Sequence, residues 1–122
     1  MPILDVEIVL MPGESISPEL ASQLADAAGK VLASRPRGTW VKVRGLDSTH
    51  YAENGGGCNV DLFPVFVSVL KSRIDAKSLR EEANRLAESI AGICSRPKEN
   101  VHIIYQPEAG GRVAFGGHLL ES

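Results

Sequence analysis

The chain has 122 residues, of which 43% are hydrophobic and 23% are charged, and its formal net charge is -2 at pH 7. This length fits a single domain over residues 1–122, and the apolar content excludes a disordered chain. No run of about 20 apolar residues is present, so we expect no membrane span. The slightly acidic charge argues against a surface for nucleic acid. With two cysteines and no basic-then-apolar leader, we expect a cytoplasmic protein with reduced thiols.

The first half of the chain predicts a strand, a helix and a second strand. Polar and apolar residues alternate over Ile3–Leu10, which is typical of a strand with one buried face. A helix is predicted to begin at Ser17-Pro18, as an N-cap followed by a proline in the first turn, and to end at Arg35-Pro36. The second strand is predicted over Trp40–Leu46, and a loop over Asp47–Asn59.

The second half predicts the same order of elements. A strand rich in valine and phenylalanine is expected over Phe63–Leu70, and Asp75 is expected to cap a helix that ends at Arg96-Pro97. Val101–Tyr105 is the fourth predicted strand, and a glycine-rich tail follows it. Each half therefore predicts a β-α-β unit.

The two halves also match in residues. Ser34-Arg35-Pro36-Arg37 corresponds to Ser95-Arg96-Pro97-Lys98 at an offset of 61 residues. A duplication with repeats at about 1–61 and 62–122 explains this better than a chance likeness of two βα units, which stays the alternative. The predicted fold class is α/β, in its two-layer α+β form. Duplicated β-α-β units build a four-stranded sheet with two helices on one face.

Helices on one face leave the other face of the sheet uncovered. The predicted third strand is apolar on both sides, with Phe63, Val65 and Val67 alternating with Pro64 and Phe66. An exposed apolar sheet face usually marks an interface. We therefore expect an obligate oligomer whose sheets pack inward.

The chain opens with Met1-Pro2-Ile3-Leu4, carries two β-α-β units, and ends in a segment from Val101 to Gly117 with a closing Gly-Gly. In these features it resembles the tautomerase superfamily, which includes 4-oxalocrotonate tautomerase and macrophage migration inhibitory factor. The resemblance implies a fused pair of short subunits that assembles as a homotrimer. It also implies a cofactor-independent tautomerase, an isomerase with no cofactor or metal. The expected substrate is a small-molecule acid, either a small enol or a 2-oxo acid.

Pro2 is the candidate general base. After removal of Met1 its nitrogen is a secondary amine, and an ordinary α-amino group has a pKa of about 7.7–8.0. An apolar pocket or a nearby cation lowers that pKa, so the neutral amine can accept and return a proton near pH 7. If Met1 is retained, the nitrogen is an amide without basicity.

Further site residues follow from the resemblance. Short subunits of the family carry an arginine just before the helix, and Arg73 fits that place as a second catalytic residue that binds a substrate carboxylate. The first half has Pro12-Gly13-Glu14 there, so a second pocket is expected to be inactive. The residues expected to bind substrate are His102, Arg35, Val113 and Phe115.

Two other classes of function stay open. A dehalogenase, hydratase or decarboxylase of the same superfamily needs a carboxylate that activates water, for which Glu7, Asp47 and Glu53 are available. A non-catalytic trimeric binding protein is the alternative if Met1 is retained. Cys58 is a weaker candidate as a nucleophile.

Overall fold

A computed structural model describes residues 2–56 and 63–121. It contains six strands and two α-helices in this part of the chain: β1 (Ile3–Leu10), α1 (Leu20–Val31), β2 (Trp40–Asp47), β3 (Val65–Leu70), α2 (Leu79–Cys94), β4 (Val101–Tyr105), β5 (Ala114–Phe115) and β6 (His118–Leu119). Short 3-10 turns cover Ser48–His50 and Lys98–Asn100. Met1, Cys58 and the predicted boundary between the repeats lie outside the described residues.

The main sheet has the strand order β2-β1-β3-β4. β1 and β2 are parallel, β3 and β4 are parallel, and the two pairs meet through antiparallel β1 and β3. Each half is thus a β-α-β unit with a parallel strand pair. Both helices pack on one face, and β5 and β6 form a separate two-stranded sheet. This arrangement confirms the predicted fold class.

Both helices begin later than the sequence predicts. α1 starts at Leu20 rather than at Pro18, and the side chain of Ser17 instead accepts a hydrogen bond from the Glu19 amide at 3.2 Å. Asp75 likewise accepts from the Lys77 amide at 3.1 Å, and α2 starts at Leu79. The two predicted caps therefore stabilise a turn that precedes each helix.

The hydrophobic core lies between the helices and one face of the sheet. Alternate residues of the two central strands are fully buried there and meet the apolar faces of both helices: Leu4, Val6, Ile8, Val65, Val67, Val69, Leu24, Leu86 and Ile90. Gly45 on β2 allows the side chain of Leu10 to pack directly against the β2 backbone, because a Cβ at position 45 would lie 2.7 Å from Cδ1 of Leu10. The alternation within β1 predicted its buried face correctly.

The repeated Ser-Arg-Pro motif does not occupy equivalent structural positions in the two halves, because it is shifted by one residue relative to the end of each helix. Each helix ends in a residue with left-handed backbone, Ala33 (φ 53) and Ser95 (φ 56). In each half the next amide bonds back five residues: Ser34 to the Gly29 carbonyl and Arg96 to the Ala91 carbonyl. Arg96 therefore occupies the structural place of Ser34, not that of Arg35. The sequence match at an offset of 61 residues concealed this shift.

The other face of the sheet is mixed in character. Asp5 pairs with Lys42 and Glu7 pairs with Arg44, each at 3.0 Å, so the β1–β2 half of this face is charged. Its β3–β4 half carries the ring of Phe66 and the exposed side chain of Ile104. The exposed apolar surface of this face is thus limited to its β3–β4 half and to Trp40 at the start of β2.

Candidate active site

A pocket of ≈ 460 Å³ lies beside the first residue of the described chain. It brings together three residues that the sequence analysis selected, and these come from three separate segments: Pro2, Arg35 and Arg73. Leu32, Ala33, Ser34, Gly38, Lys71 and Ser72 complete its lining. Pro2 is half-buried, while Arg35 and Arg73 are exposed.

Backbone pairing fixes Pro2 at the mouth of this pocket. Its carbonyl accepts a hydrogen bond from the Trp40 amide at 3.0 Å, which extends the β1–β2 ladder by one residue. The Trp40 ring meets Phe115 edge to face, with centroids 5.6 Å apart. The position of Pro2 is therefore set by the sheet, and its nitrogen lies just beyond the strand.

Arg73 lies on a loop that the C-terminal segment holds in place. The Ala109 amide donates to the Lys71 carbonyl at 2.8 Å, and the Ile74 amide donates to the Glu108 carboxylate at 2.6 Å. Peptide groups on both sides of Arg73 are thus fixed, while its own side chain stays exposed. The loop therefore holds the backbone of Arg73 in place and leaves its guanidinium exposed, where a ligand can reach it.

The pocket is cationic. Over residues 2–56 and 63–121, neither Arg35 nor Arg73 makes an ion pair. The Lys71 ammonium pairs with Glu82 at 2.7 Å, and Glu82 also accepts the Tyr105 hydroxyl at 2.8 Å. Burial, with the hydrogen bond to Glu82, raises the pKa of Tyr105 far above its usual range, so that phenol stays protonated.

The structure does not bring the other predicted residues into this pocket. His102 is exposed on β4, where its ring lies 5.5 Å from that of Phe66 on the helix-free face. Phe115 touches Trp40 but does not line the pocket, and Val113 is held by backbone bonds near the small hairpin. Of the predicted site residues that the structure describes, Pro2, Arg35 and Arg73 are those that converge on this pocket.

The corresponding end of the second half is closed. The side chain of Arg96 is 1% exposed and makes a two-pronged pair with the carboxylate of Glu14, at 2.7 and 3.1 Å. Arg96 also donates to the carbonyls of Phe63, Val9 and Cys94. In Pro12-Gly13-Glu14, where the first half has no arginine, the carboxylate of Glu14 instead binds Arg96.

The carboxylates that were candidates for activating water are engaged elsewhere. Glu7 pairs with Arg44, Asp47 accepts from Thr49, and Glu53 accepts from the Tyr51 hydroxyl. Among the described residues, no Asp or Glu lines the Pro2 pocket, and no group of three or more His, Cys, Asp or Glu side chains is placed to hold a metal ion.

No helix in this part of the chain is long and apolar enough to cross a membrane.

Sequence reasoning missed Lys71 and Ser72 as lining residues and Glu108 as a support. Lys71 and Ser72 directly precede Arg73, so the loop that carries Arg73 was itself the available signal. Nothing in the sequence indicated Glu108, because it follows β4 and lies far along the chain from the Arg73 loop that it contacts. Cys94, the free cysteine among the described residues, is buried, and burial raises the pKa of its thiol to about 11.

No protein-family model and no curated protein matches this sequence. Solved structures do match its fold. Macrophage migration inhibitory factor from Oncomelania hupensis is 20% identical with a TM-score of 0.73, covering 99% of this chain and 83% of that one. A fused 4-OT, solved as an asymmetric trimer, is 15% identical with a TM-score of 0.73, and 93% of each chain is covered.

A malonate semialdehyde decarboxylase inhibited by 3-bromopropiolate is also similar. It is 19% identical with a TM-score of 0.66, and the match covers 93% of this chain and 88% of that one. The fold is therefore shared with solved structures of macrophage migration inhibitory factor and of fused 4-OT, which is the fold that the resemblance implied. At these identities the likeness extends to the fold and leaves the activity open.

Proposed function

We propose that this protein is a cofactor-independent tautomerase that moves a proton between oxygen and carbon of a small enol or 2-oxo acid. The observation that carries the proposal is the convergence of Pro2 and Arg73, from distant parts of the chain, on one pocket. Once Met1 is removed, the Pro2 amine is the general base. Arg73 binds the substrate carboxylate, since a guanidinium forms paired hydrogen bonds to it.

The charges of the pocket suit this chemistry. Arg35 and Arg73, which make no ion pair within the described residues, line it, and nearby cations disfavour a protonated amine, which keeps the base neutral near pH 7. The same cations stabilise the negative charge that develops on the substrate oxygen when a proton leaves its carbon. Leu32 and Ala33 provide apolar surface beside the reacting atoms.

We further propose a homotrimer whose sheets face inward. The fused 4-OT structure was solved as a trimer, and here the helix-free face exposes Trp40 and Ile104, 43% and 50% exposed in the single chain. Exposed large apolar residues on an uncovered sheet face favour burial against other copies. Light scattering at micromolar concentration should give three times the chain mass, and a stable monomer would contradict the assembly.

Blocking the nitrogen of Pro2 tests the mechanism. A form that retains Met1 should lose turnover of phenylpyruvate and 2-hydroxy-dienoates, because an amide carries no basic lone pair. Intact mass spectrometry identifies the N-terminus of each preparation. Pro12→Ala, which changes a proline outside the pocket, is the matched control and should keep full turnover.

The blocked form must also assemble like the processed one. If a blocked, correctly assembled protein turned over enols at full rate, the Pro2 mechanism would be wrong.

A hydrolytic or decarboxylating activity is the second candidate, since one similar structure is a malonate semialdehyde decarboxylase. Assays with 3-haloacrylates and malonate semialdehyde, run beside the enols, distinguish it. The carboxylates first considered for activating water are all bonded outside the pocket, which favours the tautomerase. A preparation that retained Met1 in its native form and bound acids without turnover would support a binding protein instead.

A further inference from the structure

A shielded ion pair stands in the wall of the Pro2 pocket. The Lys71 ammonium and the Glu82 carboxylate lie 2.7 Å apart, and their side chains are 19% and 13% exposed. Of the ion pairs between described residues, this is the one in which both side chains are less than a fifth exposed. Lys71 lines the pocket and Glu82 lies behind it on α2. The pair therefore joins the pocket wall to the helix.

Three elements of the fold hold this pair. Lys71 directly follows β3, Tyr105 is the last residue of the neighbouring β4, and Glu82 lies in the first turn of α2. Lys71 binds Oε1 of Glu82, and the Tyr105 hydroxyl donates to Oε2 at 2.8 Å. Burial raises the pKa of Tyr105, so its phenol stays a donor. Both oxygens of the carboxylate are thus engaged, which gives Glu82 one defined orientation.

Stability does not require charges at this place. Taking two ions out of water costs free energy that their attraction only partly returns, and apolar residues of similar volume often replace a buried pair without loss. The pair does affect the charge of the pocket, since shielded charges are screened less by salt than exposed ones. Without its partner, the Lys71 ammonium would be a third free cation beside Arg35 and Arg73.

We propose that Glu82 determines how strongly the Pro2 pocket binds acids, because it neutralises the Lys71 ammonium. The inference rests on the proposed function, in which substrate and product are isomers that carry the same carboxylate. A third cation acting on that carboxylate would hold substrate and product more tightly by the same amount. Such uniform binding lowers KM without raising kcat. Glu82 thus limits the affinity for acids without touching the reacting atoms, and the product can leave.

Binding of benzoate, compared with its uncharged methyl ester, tests this role without turnover. Glu82→Gln leaves the Lys71 charge without a partner. Calorimetry or NMR titration at low salt should then show benzoate bound about fivefold more tightly, the upper range for an exposed ion pair. Binding of methyl benzoate should not change, and added salt should reduce the gain. Damage to the fold would weaken binding of both ligands and so cannot produce a selective gain.

Glu81→Gln is the matched control. Glu81 precedes Glu82 in the first turn of α2, is exposed, and does not line the pocket. Its replacement changes the net charge and the charge at the helix N-terminus by the same amount. This variant should bind benzoate like the unaltered protein. Tyr105→Phe, which keeps the ion pair, should likewise give no gain.

A second substitution assigns the gain to Lys71. Lys71→Met combined with Glu82→Gln should cancel the gain, because the cation without a partner is then absent. If Glu82→Gln alone does not fold, Lys71→Met with Glu82→Met removes both charges and suits a buried site. That form should bind benzoate as the unaltered protein does. Markedly weaker binding would show that Lys71 already attracts the acid, and the proposal would be wrong.

Three further results would overturn the proposal. They are a gain of similar size in Glu81→Gln, a gain that persists after Lys71→Met, and benzoate binding that is unchanged or weaker in folded Glu82→Gln. In an active enzyme, Glu82→Gln should lower KM for phenylpyruvate without raising kcat.

Turnover separates this inference from the proposed function. If no form turns over enols while Glu82→Gln still tightens benzoate, the tautomerase fails and the role of Glu82 stands. If enols are turned over but no form binds benzoate, the role of Glu82 fails and the tautomerase stands.

Discussion

The chain leaves α1 and α2 through the same three residues, Ser-Arg-Pro, yet the two arginines reach opposite environments. Arg35 is exposed at the rim of the Pro2 pocket, whereas Arg96 is buried and bonded to Glu14 and to three carbonyls. One end of the molecule is open and cationic, and the other is sealed by its own arginine. Nearly identical local sequences therefore form part of a candidate site in one half and a buried, hydrogen-bonded ion pair in the other.

A shift of one residue accounts for the difference. After the left-handed residue that ends the helix, the next position faces inward, and it is Ser34 in the first half but Arg96 in the second. Ser34 is short and bonds to Thr39, which leaves Arg35 to point away from the interior. The comparison teaches that a side chain's role here depends on its position relative to the helix end, not on its motif.

The largest expected effect concerns the buried arginine. Replacing Arg96 with Met removes the hydrogen bonds that its guanidinium donates to the carbonyls of Phe63, Val9 and Cys94. It should cost about 3–5 kcal/mol of unfolding free energy, as for other broken buried pairs. Arg35→Met should change it by less than about 0.5 kcal/mol, because that side chain is exposed. Urea unfolding at a fixed chain concentration measures both. Equal midpoints would remove the proposed contrast.

A smaller effect is expected at the open end. Arg73→Ala should lower kcat/KM for acid substrates by about 1.5–3 kcal/mol of transition-state free energy, the usual range for a hydrogen bond to a charged group. The methyl ester of the same substrate should be affected less, since it lacks the carboxylate. Arg80→Ala, another exposed arginine close in sequence, serves as the control. Equal losses for acid and ester would show that Arg73 does not bind the carboxylate.

The subtlest difference is in pH dependence. The hydrogen bonds from Arg96 hold the pKa of Glu14 below its ordinary value of 4.5. A carboxyl whose pKa is lowered by folding stabilises the fold at pH values above its pKa in the unfolded chain. That stabilisation is lost as the pH falls through its pKa in the folded protein. Unfolding free energy should therefore decline below about pH 4.5. Glu14→Gln should show a shallower decline, and an identical profile would contradict the role of this pair.

Much of the fold was predictable because it follows from local periodicity. Alternation over Ile3–Leu10 placed β1 and its buried face correctly, and Val101–Tyr105 was predicted with its observed bounds. The helix starts were predicted early, since Ser17 and Asp75 are good caps whose side chains were used by turns instead. A sequence shows which residues can cap but not which competing turn the tertiary contacts select.

The site was predictable in part. Pro2, Arg73 and Arg35 were all selected with the help of the resemblance, and all three line one pocket. His102 was selected by position on the last strand, but the pairing of β4 with β3 directs it to the helix-free face. Glu108 was not selected, because nothing in its neighbours shows that its carboxylate caps the amide beside Arg73.

The sequence by itself determined the order of elements, the buried faces of the strands and the cationic residues available to bind an acid. These follow from hydrophobic period and residue chemistry, which are local. Only the tertiary structure decided which of two matching arginines is buried and that Pro2 meets Arg73. Both depend on how each helix ends and on which strands pair, and those outcomes are fixed by contacts between residues far apart in the chain.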